Sequence, residues 1–334
     1  MIKVAINGFG RIGRMVLRAL YENNYKGIKI VAINNRAKPE VSAFLLSQDT
    51  VHGKFNHKVS STKDELIVGK DKILCVHEND PGNCPWDELG IDVVFECTGK
   101  FNSKEESYKH IEAGAKKVIV SAPCKEADKT VVYGINHKSL GKQDEVISVA
   151  SCTTNCLAPM AYVLNKNFKI EKGYMTTIHS YTTDQRLLDN SHKDLRRARS
   201  APNAMVPTST GAAKSLKLII PELAGKVDGI SVRVPTPNVS LVQLSFSSKK
   251  KMTENLINNA LTKASRTYLK NVLGTETRPL VSSDFNHDSR SSIVDTQLTK
   301  VMGQNFATVF SWYDNEWGFS NRMIDVALCL KNKL

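Results

Sequence analysis

No segment of this 334-residue chain approaches the roughly 20 uninterrupted apolar residues that a membrane-spanning helix requires. Glycine and proline are scarce, at 19 and 11 residues, which excludes collagen-like, linker-dominated and low-complexity classes. Paired cysteines are missing. The seven cysteines stand at 75, 84, 97, 124, 152, 156 and 329 with no C-x-x-C among them, an odd and scattered set that argues against a disulfide framework and a zinc site, so no metal is expected. The first apolar run, residues 2–6, gives way at once to Asn7, Gly8 and Arg11. That leaves no signal-peptide core, and the expected location is the cytoplasm, with no membrane partner. Acid is the charge in deficit: 33 acidic against 46 basic residues give a net +13, which favours an anionic partner, whether nucleic acid, phosphorylated metabolite or anionic cofactor.

What the chain does have is alternation. An apolar, β-branched run at 3–7 ends in a glycine cluster, residues 11–23 carry Ile12, Val16, Leu17 and Leu20 at helical spacing, and a second strand follows at 28–33. Strand, tight turn, helix and strand make a βαβ unit, which requires a parallel, helix-covered sheet. Further strands at 93–96, 117–120 and 146–150 continue the pattern. Gly8-Phe9-Gly10-Arg11-Ile12-Gly13 fits G-x-G-x-x-G in that context, with the glycines allowing a tight turn, approach of backbone to a pyrophosphate and close helix packing. Residues 1–150 are therefore expected to be a dinucleotide-binding domain with a doubly wound, Rossmann-type parallel sheet.

Where that fingerprint expects an acid at the end of the second strand, this chain has Asn34-Asn35-Arg36. Asn35 can still bond a ribose hydroxyl but does not repel a 2′-phosphate. For Arg36 two readings stand side by side: a partner for such a phosphate, or a solvated surface charge.

Beyond Ser151 longer strand candidates at 174–179, 230–234, 239–246 and 308–313, with fewer helices, predict an α+β catalytic domain over 151–317 with a mixed or antiparallel sheet. Residues 184–203 are polar, arginine-rich and aperiodic, and read as a long ordered loop. An amphipathic helix is expected at 323–330, within a segment 318–334 that packs back on the dinucleotide-binding domain.

Cys152 follows a β run and precedes a helix-forming stretch at 157–164, so the positive helix end should lower its pKa and make it a candidate nucleophile. Cys156, one turn on, reads as packing beneath it, and the other five cysteines as buried small hydrophobes. Of eight histidines only His179 ends a clear apolar strand amid hydroxyls. A strand histidine is as a rule a satisfied core residue, and spacing alone does not bring it to Cys152. Thr208, Ser209, Thr210, Gly211 and Arg233 offer hydroxyl and guanidinium groups suited to a phosphate, whereas Arg196, Arg197 and Arg199 alone read as a solvated loop face.

With these residues in view, the chain resembles the phosphorylating glyceraldehyde-3-phosphate dehydrogenase family over essentially its whole length. The strongest match is Ala150-Ser151-Cys152-Thr153-Thr154-Asn155-Cys156-Leu157-Ala158-Pro159, supported in order by residues 7–14, 194–199, 207–213, 233–236 and 312–318. The resemblance implies that Cys152 is the nucleophile and His179 its base. It assigns Ser151, Thr153, Thr210 and Gly211 to attacking inorganic phosphate, and Thr182, Arg197 and Arg233 to the phosphate of glyceraldehyde 3-phosphate. Asn315 matches the residue that fixes the nicotinamide carboxamide, and Arg11, Ile12 and Ser121 match cofactor contacts. A homotetramer is implied. The departures concern the cofactor: Asn35 stands for an aspartate, Asn190-Ser191 for Leu-Pro before His192, Asn79 for a basic residue and Phe319 for a tyrosine. They lead to an expectation of NAD with NADP also accepted. The rivals are an erythrose-4-phosphate dehydrogenase, which releases an acid through water, a catalytically dead homologue, and nucleic-acid binding as a secondary role.

Overall fold

The computed structural model describes residues 1–334 and divides into two units, Met1–Ser151 with Ser320–Leu334, and Cys152–Phe319. The first unit contains β1 (Ile2–Asn7), α1 (Arg11–Glu22), β2 (Ile28–Asn34), α2 (Pro39–Ser47), β3 (Val59–Ser61), β4 (Glu65–Val68), β5 (Asp71–Val76), α3 (Trp86–Leu89), β6 (Val93–Glu96), α4 (Lys104–Glu112), β7 (Lys117–Val120), β8 (Lys129–Thr130) and β9 (Val146–Ser148). Its sheet runs β3-β4-β5-β2-β1-β6-β7-β9-β8. Strands β5, β2, β1, β6, β7 and β9 are parallel. Numbered along the chain, these six stand in the doubly wound order 3-2-1-4-5-6, with the reversal between β1 and β6. Strands β6, β7 and β9 are buried at every residue, as a sheet covered on both faces demands.

Helix α1 buries Met15, Val16, Leu17, Ala19 and Leu20. Arg18 on the same helix is fully buried, and its Nε and Nη2 donate to the Leu46 and Gly53 carbonyls, which replaces part of the water it loses while Nη1 is left without a hydrogen-bond partner. Helix α4 opens with a capping box between Ser103 and Glu106. The antiparallel hairpin β3–β4 lies outside the sequence expectation, because strands of three and four residues carry too short a run to show a period.

The second unit contains α5 (Cys152–Phe168), β10 (Ile170–Ser180), β11 (Val206–Ser209), α6 (Ala212–Ile219), β12 (Val227–Val234), β13 (Ser240–Ser248), α7 (Glu254–Arg266), β14 (Leu273–Glu276), β15 (Ser292–Met302) and β16 (Phe306–Tyr313). Its sheet runs β11-β12-β10-β13-β16-β15-β14, parallel at β10/β12 and β14/β15 and antiparallel elsewhere, so it is mixed. Strands β13 and β16 alternate buried with half-buried residues, which fits one face packed under helices. No regular element lies between Ser180 and Val206.

The last helix, α8 (Trp317–Cys329), begins six residues before the expected 323. Its first turn is buried all round at Trp317 and Phe319, which erases the amphipathic period that marks the rest. The Asp314 carboxylate starts it by accepting the Glu316 and Trp317 N–H groups at 2.9 and 2.7 Å. No helix is long and apolar enough to cross a membrane.

Candidate active site

In the first unit the glycine turn closes a cavity of about 250 Å³ lined by Asn7 to Gly10, Asn34, Asn35, Arg36, Glu78, Asn79, Cys97, Thr98, Lys100 and Phe101. Gly8 has φ +91°, and a Cβ there would lie 2.7 Å from the Thr98 nitrogen. A Cβ on Gly13 would lie 2.2 Å from the Gly8 carbonyl oxygen, so that position is reserved for close packing of α1. Gly10 instead faces open space and caps α1 without any side-chain bond. A helix N-terminus favours an anion, and at the start of α1 Gly10 puts no side chain in its way. These residues fit the pyrophosphate of a dinucleotide.

The other expected cofactor residues fall into place unevenly. Asn35 lines the cavity while its Nδ2 donates to Ser42 Oγ at 3.3 Å, and Arg36 lines it with an exposed side chain. Arg11, the first residue of α1, is bound to the Asp49 carboxylate. Ile12 and Ser121 lie outside the lining, and the Ser121 N–H donates to the Glu96 carbonyl at 2.9 Å.

In the second unit Cys152 is the first residue of α5, reached through Ala150 in the left-handed region at φ +56°. A non-glycine residue there costs about 1–3 kcal/mol, a strain that turns the chain sharply from strand into helix. His179 lies near the end of β10, directly across from Arg233 on β12. The Cys152 Sγ and His179 Nε2 are 3.5 Å apart although 27 positions separate them. His179 Nδ1 lies 2.7 Å from the Ser180 carbonyl, the shortest of its contacts, which assigns the ring proton to Nδ1 and leaves Nε2 to accept from the thiol. Arg233 Nη1 donates to the same carbonyl at 3.1 Å and stands 2.9 Å from Nδ1.

Burial, reinforced by the Arg233 cation and opposed by the Ser180 bond, holds the His179 pKa down at about 3. Burial also pushes the Cys152 thiol up, against the lowering effect of Arg233 and of the Thr153 N–H and hydroxyl. The expected lowering by the helix end is present but outweighed, because the thiol is enclosed as well as capped. The pair rests as thiol and neutral imidazole, with Nε2 within reach of the thiol proton.

Beneath the pair the Tyr313 hydroxyl bridges Thr153 Oγ1 and Thr177 Oγ1, each at 2.9 Å, and its ring meets His179 edge-on at 5.9 Å. Nothing in the sequence marks Tyr313 and Thr177 as site residues, since a contact across 160 positions leaves no trace in spacing. Cys156 is buried beside Ser292 and the Ser311 carbonyl.

Of the expected phosphate ligands, Arg197 donates through Nε to Thr208 Oγ1 at 2.7 Å and pairs with Asp184 and Asp194. Strand β11 carries Thr208 and pairs with β12, with Val206 opposite Arg233. Arg233 Nε is buried without a partner. Thr182 bonds Gln185 Oε1, while Thr210 Oγ1 accepts the Ala212 N–H at the start of α6, next to Gly211. No hydrogen bond joins Thr182, Thr210 or Gly211 to Cys152 or His179. Ser151 immediately precedes the thiol. Asn315 Oδ1 accepts the Ser180 and Ser240 hydroxyls at 2.9 and 3.0 Å, so its Nδ2 is turned away from both.

Comparison with known proteins agrees with this chemistry. Residues 2–104 match the family model described as the glyceraldehyde 3-phosphate dehydrogenase NAD binding domain, and residues 151–315 match the C-terminal domain of the same family. The chain is 53% identical over 329 residues to the glyceraldehyde-3-phosphate dehydrogenase of Cereibacter sphaeroides, covering 98% of both proteins. It is 49% identical to glyceraldehyde-3-phosphate dehydrogenase 1 of Bacillus cereus, covering 100% of this chain and 99% of that protein, and 49% identical to the enzyme of Geobacillus stearothermophilus, covering 99% of both. A glycine-turn sheet matching the NAD binding model, together with a thiol and imidazole at bonding distance, places the chain in the glyceraldehyde-3-phosphate dehydrogenase family.

Proposed function

We propose that this protein oxidises D-glyceraldehyde 3-phosphate to 1,3-bisphosphoglycerate, with Cys152 as nucleophile and His179 as base. The observation that carries the reading is the 3.5 Å contact between Sγ and an Nε2 held as acceptor. His179 takes the thiol proton, the thiolate adds to the aldehyde carbon, and the proton passes to the new alkoxide to give a hemithioacetal. His179 then removes the hydroxyl proton as a hydride leaves the carbon, and a thioester on Cys152 results. The nicotinamide supplies the hydride acceptor when bound. Inorganic phosphate attacks the thioester carbon, the C–S bond breaks, and the thiolate is regenerated as the acyl phosphate departs.

The Gly8, Gly10 and α1 N–H groups would hold the dinucleotide, and Asn315 Nδ2 would donate to its carboxamide. The unpartnered Arg233 Nε, with Arg197 and Thr182, suits the phosphate of the substrate, while Ser151, Thr153, Thr210 and Gly211 suit the attacking phosphate. Self-association is supported by Leu187, Leu188, Leu195 and Met205, which leave 72–83% of their surface exposed along one loop, and the family resemblance makes a tetramer the assembly proposed.

Use of NADP beside NAD is a second reading, favoured because Asn35 and Arg36 line the cavity and Glu78 is its one acidic residue. Initial rates with each cofactor, with phosphate present and then omitted, test both readings. Phosphate dependence supports acyl phosphate formation, and rates indifferent to phosphate point to the erythrose-4-phosphate type of reaction.

A further inference from the structure

At the point where the first sheet reverses, three polar residues stand in register on adjacent parallel strands. Asn7 on β1 lies opposite Asn34 on β2 and opposite Glu96 on β6. All three are buried, Glu96 with 1% of its surface exposed. The only ion-pairing group within reach of its carboxylate is His110, and no lysine or arginine pairs with it. A carboxylate in such a place is costly unless its oxygens are fully bonded.

They are. Oε1 accepts the Thr98 N–H at 2.7 Å and the Thr98 hydroxyl. Oε2 accepts Asn7 Nδ2 at 2.5 Å and His110 Nε2 at 3.2 Å. The indole of Trp86 can only donate, and its Nε1 donates to His110 Nδ1 at 3.0 Å. That bond fixes the His110 tautomer, so Nε2 carries the proton that points at Glu96. On the other side Asn34 Nδ2 donates to Asn7 Oδ1 at 2.8 Å and to the Glu78 carbonyl at 2.9 Å, while Asn34 Oδ1 accepts the Glu78 N–H at 2.9 Å. One hydrogen-bonded chain therefore links Trp86, His110, Glu96, Asn7, Asn34 and the backbone of Glu78, and both of its arms donate inward to the Glu96 carboxylate.

The free ends of this chain are the cavity. Asn7, Asn34, Glu78 and Thr98 all line it, and the Thr98 nitrogen is the atom against which Gly8 closes. We infer that Glu96 is a positioning residue for the dinucleotide: its carboxylate, oriented by His110 and Trp86, fixes the Asn7 and Asn34 amides and the Thr98 backbone that shape the cavity. The inference rests on reading this cavity as the dinucleotide site. The chemistry of Cys152 is in the other unit and has no share in the chain.

The test is calorimetric titration of the full-length protein with ADP-ribose, which has the dinucleotide's phosphates but no nicotinamide, on the native protein, Glu96→Gln and Trp86→Phe. Glutamine of the same size must turn an N–H₂ toward one of the two donor pairs. We expect Glu96→Gln to bind about twentyfold more weakly and Trp86→Phe about threefold more weakly. With both, the KM for dinucleotide should rise in proportion, while kcat at saturation, the KM for the aldehyde and the alkylation rate of Cys152 stay within about twofold. Native protein that fails to bind ADP-ribose overturns the cavity reading and the inference together. Native binding with Glu96→Gln unchanged overturns the inference alone, as does a fall in kcat or a matching rise in aldehyde KM, which is what a merely structural role produces. Should Glu96→Gln not fold, Trp86→Phe, which deletes three ring atoms, the indole N–H among them, decides between the same outcomes by the same readouts, the melting temperature reporting the packing lost.

Discussion

His179 and Arg233 face each other across two parallel strands, with 2.9 Å between the ring Nδ1 and a guanidinium nitrogen. A permanent cation beside the base stabilises a thiolate on Cys152 and opposes a proton on His179. Replacing Arg233 by methionine should therefore raise both pKa values. The inflection in the rate of iodoacetamide alkylation should move to higher pH, and reaction near neutrality should slow by about tenfold for every pH unit the inflection moves. An unchanged pH profile would show that Arg233 serves the phosphate alone.

Gly10 and Gly13 separate binding from packing. An alanine at Gly13 would drive its Cβ to 2.2 Å from backbone oxygen, so Gly13→Ala should lower the melting temperature markedly or prevent folding. An alanine at Gly10 meets nothing within 4 Å. Gly10→Ala should fold with near-native stability yet bind dinucleotide at least about tenfold more weakly, because the methyl fills the approach to the α1 N–H groups. Equal affinities in a titration of Gly10→Ala and native protein would refute the anion-site assignment.

Asn35→Asp restores an acid at the end of β2. NAD should be used as before, and kcat/KM with NADP should drop by about tenfold or more, since a carboxylate repels a 2′-phosphate. If NADP is already unused by the native protein, Asn35 is simply an adequate ribose acceptor and the dual-cofactor reading falls.

Asp49 supplies a pH dependence of stability. Burial alone would raise its pKa, but the Arg11 bond and the His52 and Val51 N–H groups more than reverse this and hold it at about 2. A carboxylate depressed in the folded state stabilises it at pH above the ordinary value near 4, and that contribution disappears as pH falls through about 2. Chemical denaturation of native protein and Asp49→Asn should differ by about 2 kcal/mol at pH 6 and converge toward pH 2. Parallel curves with a constant gap would show that the low pKa does not arise in the native state.

Tyr313→Phe removes a hydroxyl shared by two buried threonines. Leaving Thr153 and Thr177 short of a partner should cost about 1–3 kcal/mol of stability. It should also change the Cys152 alkylation rate, since the Thr153 hydroxyl bears on the thiol. Unaltered stability would mean that the threonines find each other or water.

The glycine turn and Cys152 carry local signatures, a strand that ends in G-x-G-x-x-G and a cysteine before a helix, whereas His179 stands out only as a histidine among strand hydroxyls and its pairing with Cys152 came from the family resemblance. The doubly wound order followed from alternation of strand and helix. The direction of the thiol pKa was not legible, because enclosure depends on neighbours brought from β10, β12 and β16. Tyr313, Thr177 and the Trp86, His110, Glu96 chain escaped for the same reason. Buried polar partners obey neither a 2 nor a 3.6 period, and each sits in a segment whose neighbours read as ordinary strand or helix. The early start of α8 escaped because its first turn is buried on every side.

The polar trio on β1, β2 and β6 also bears on how the sheet finds its alignment. Side chains on a strand alternate between faces, so slipping β6 by one residue would turn Glu96 away from Asn7 and bring Phe95 or a neighbouring apolar residue into its place. A carboxylate would then be buried without the Asn7 amide that bonds it, with only its local Thr98 donors assured, at a cost above that of any single mispaired apolar contact. Uniformly apolar parallel strands carry little information about which residue should face which. Three amides and acids at their carboxyl ends act as a key that only one alignment satisfies, so the feature that shapes the cavity also proofreads the sheet beneath it.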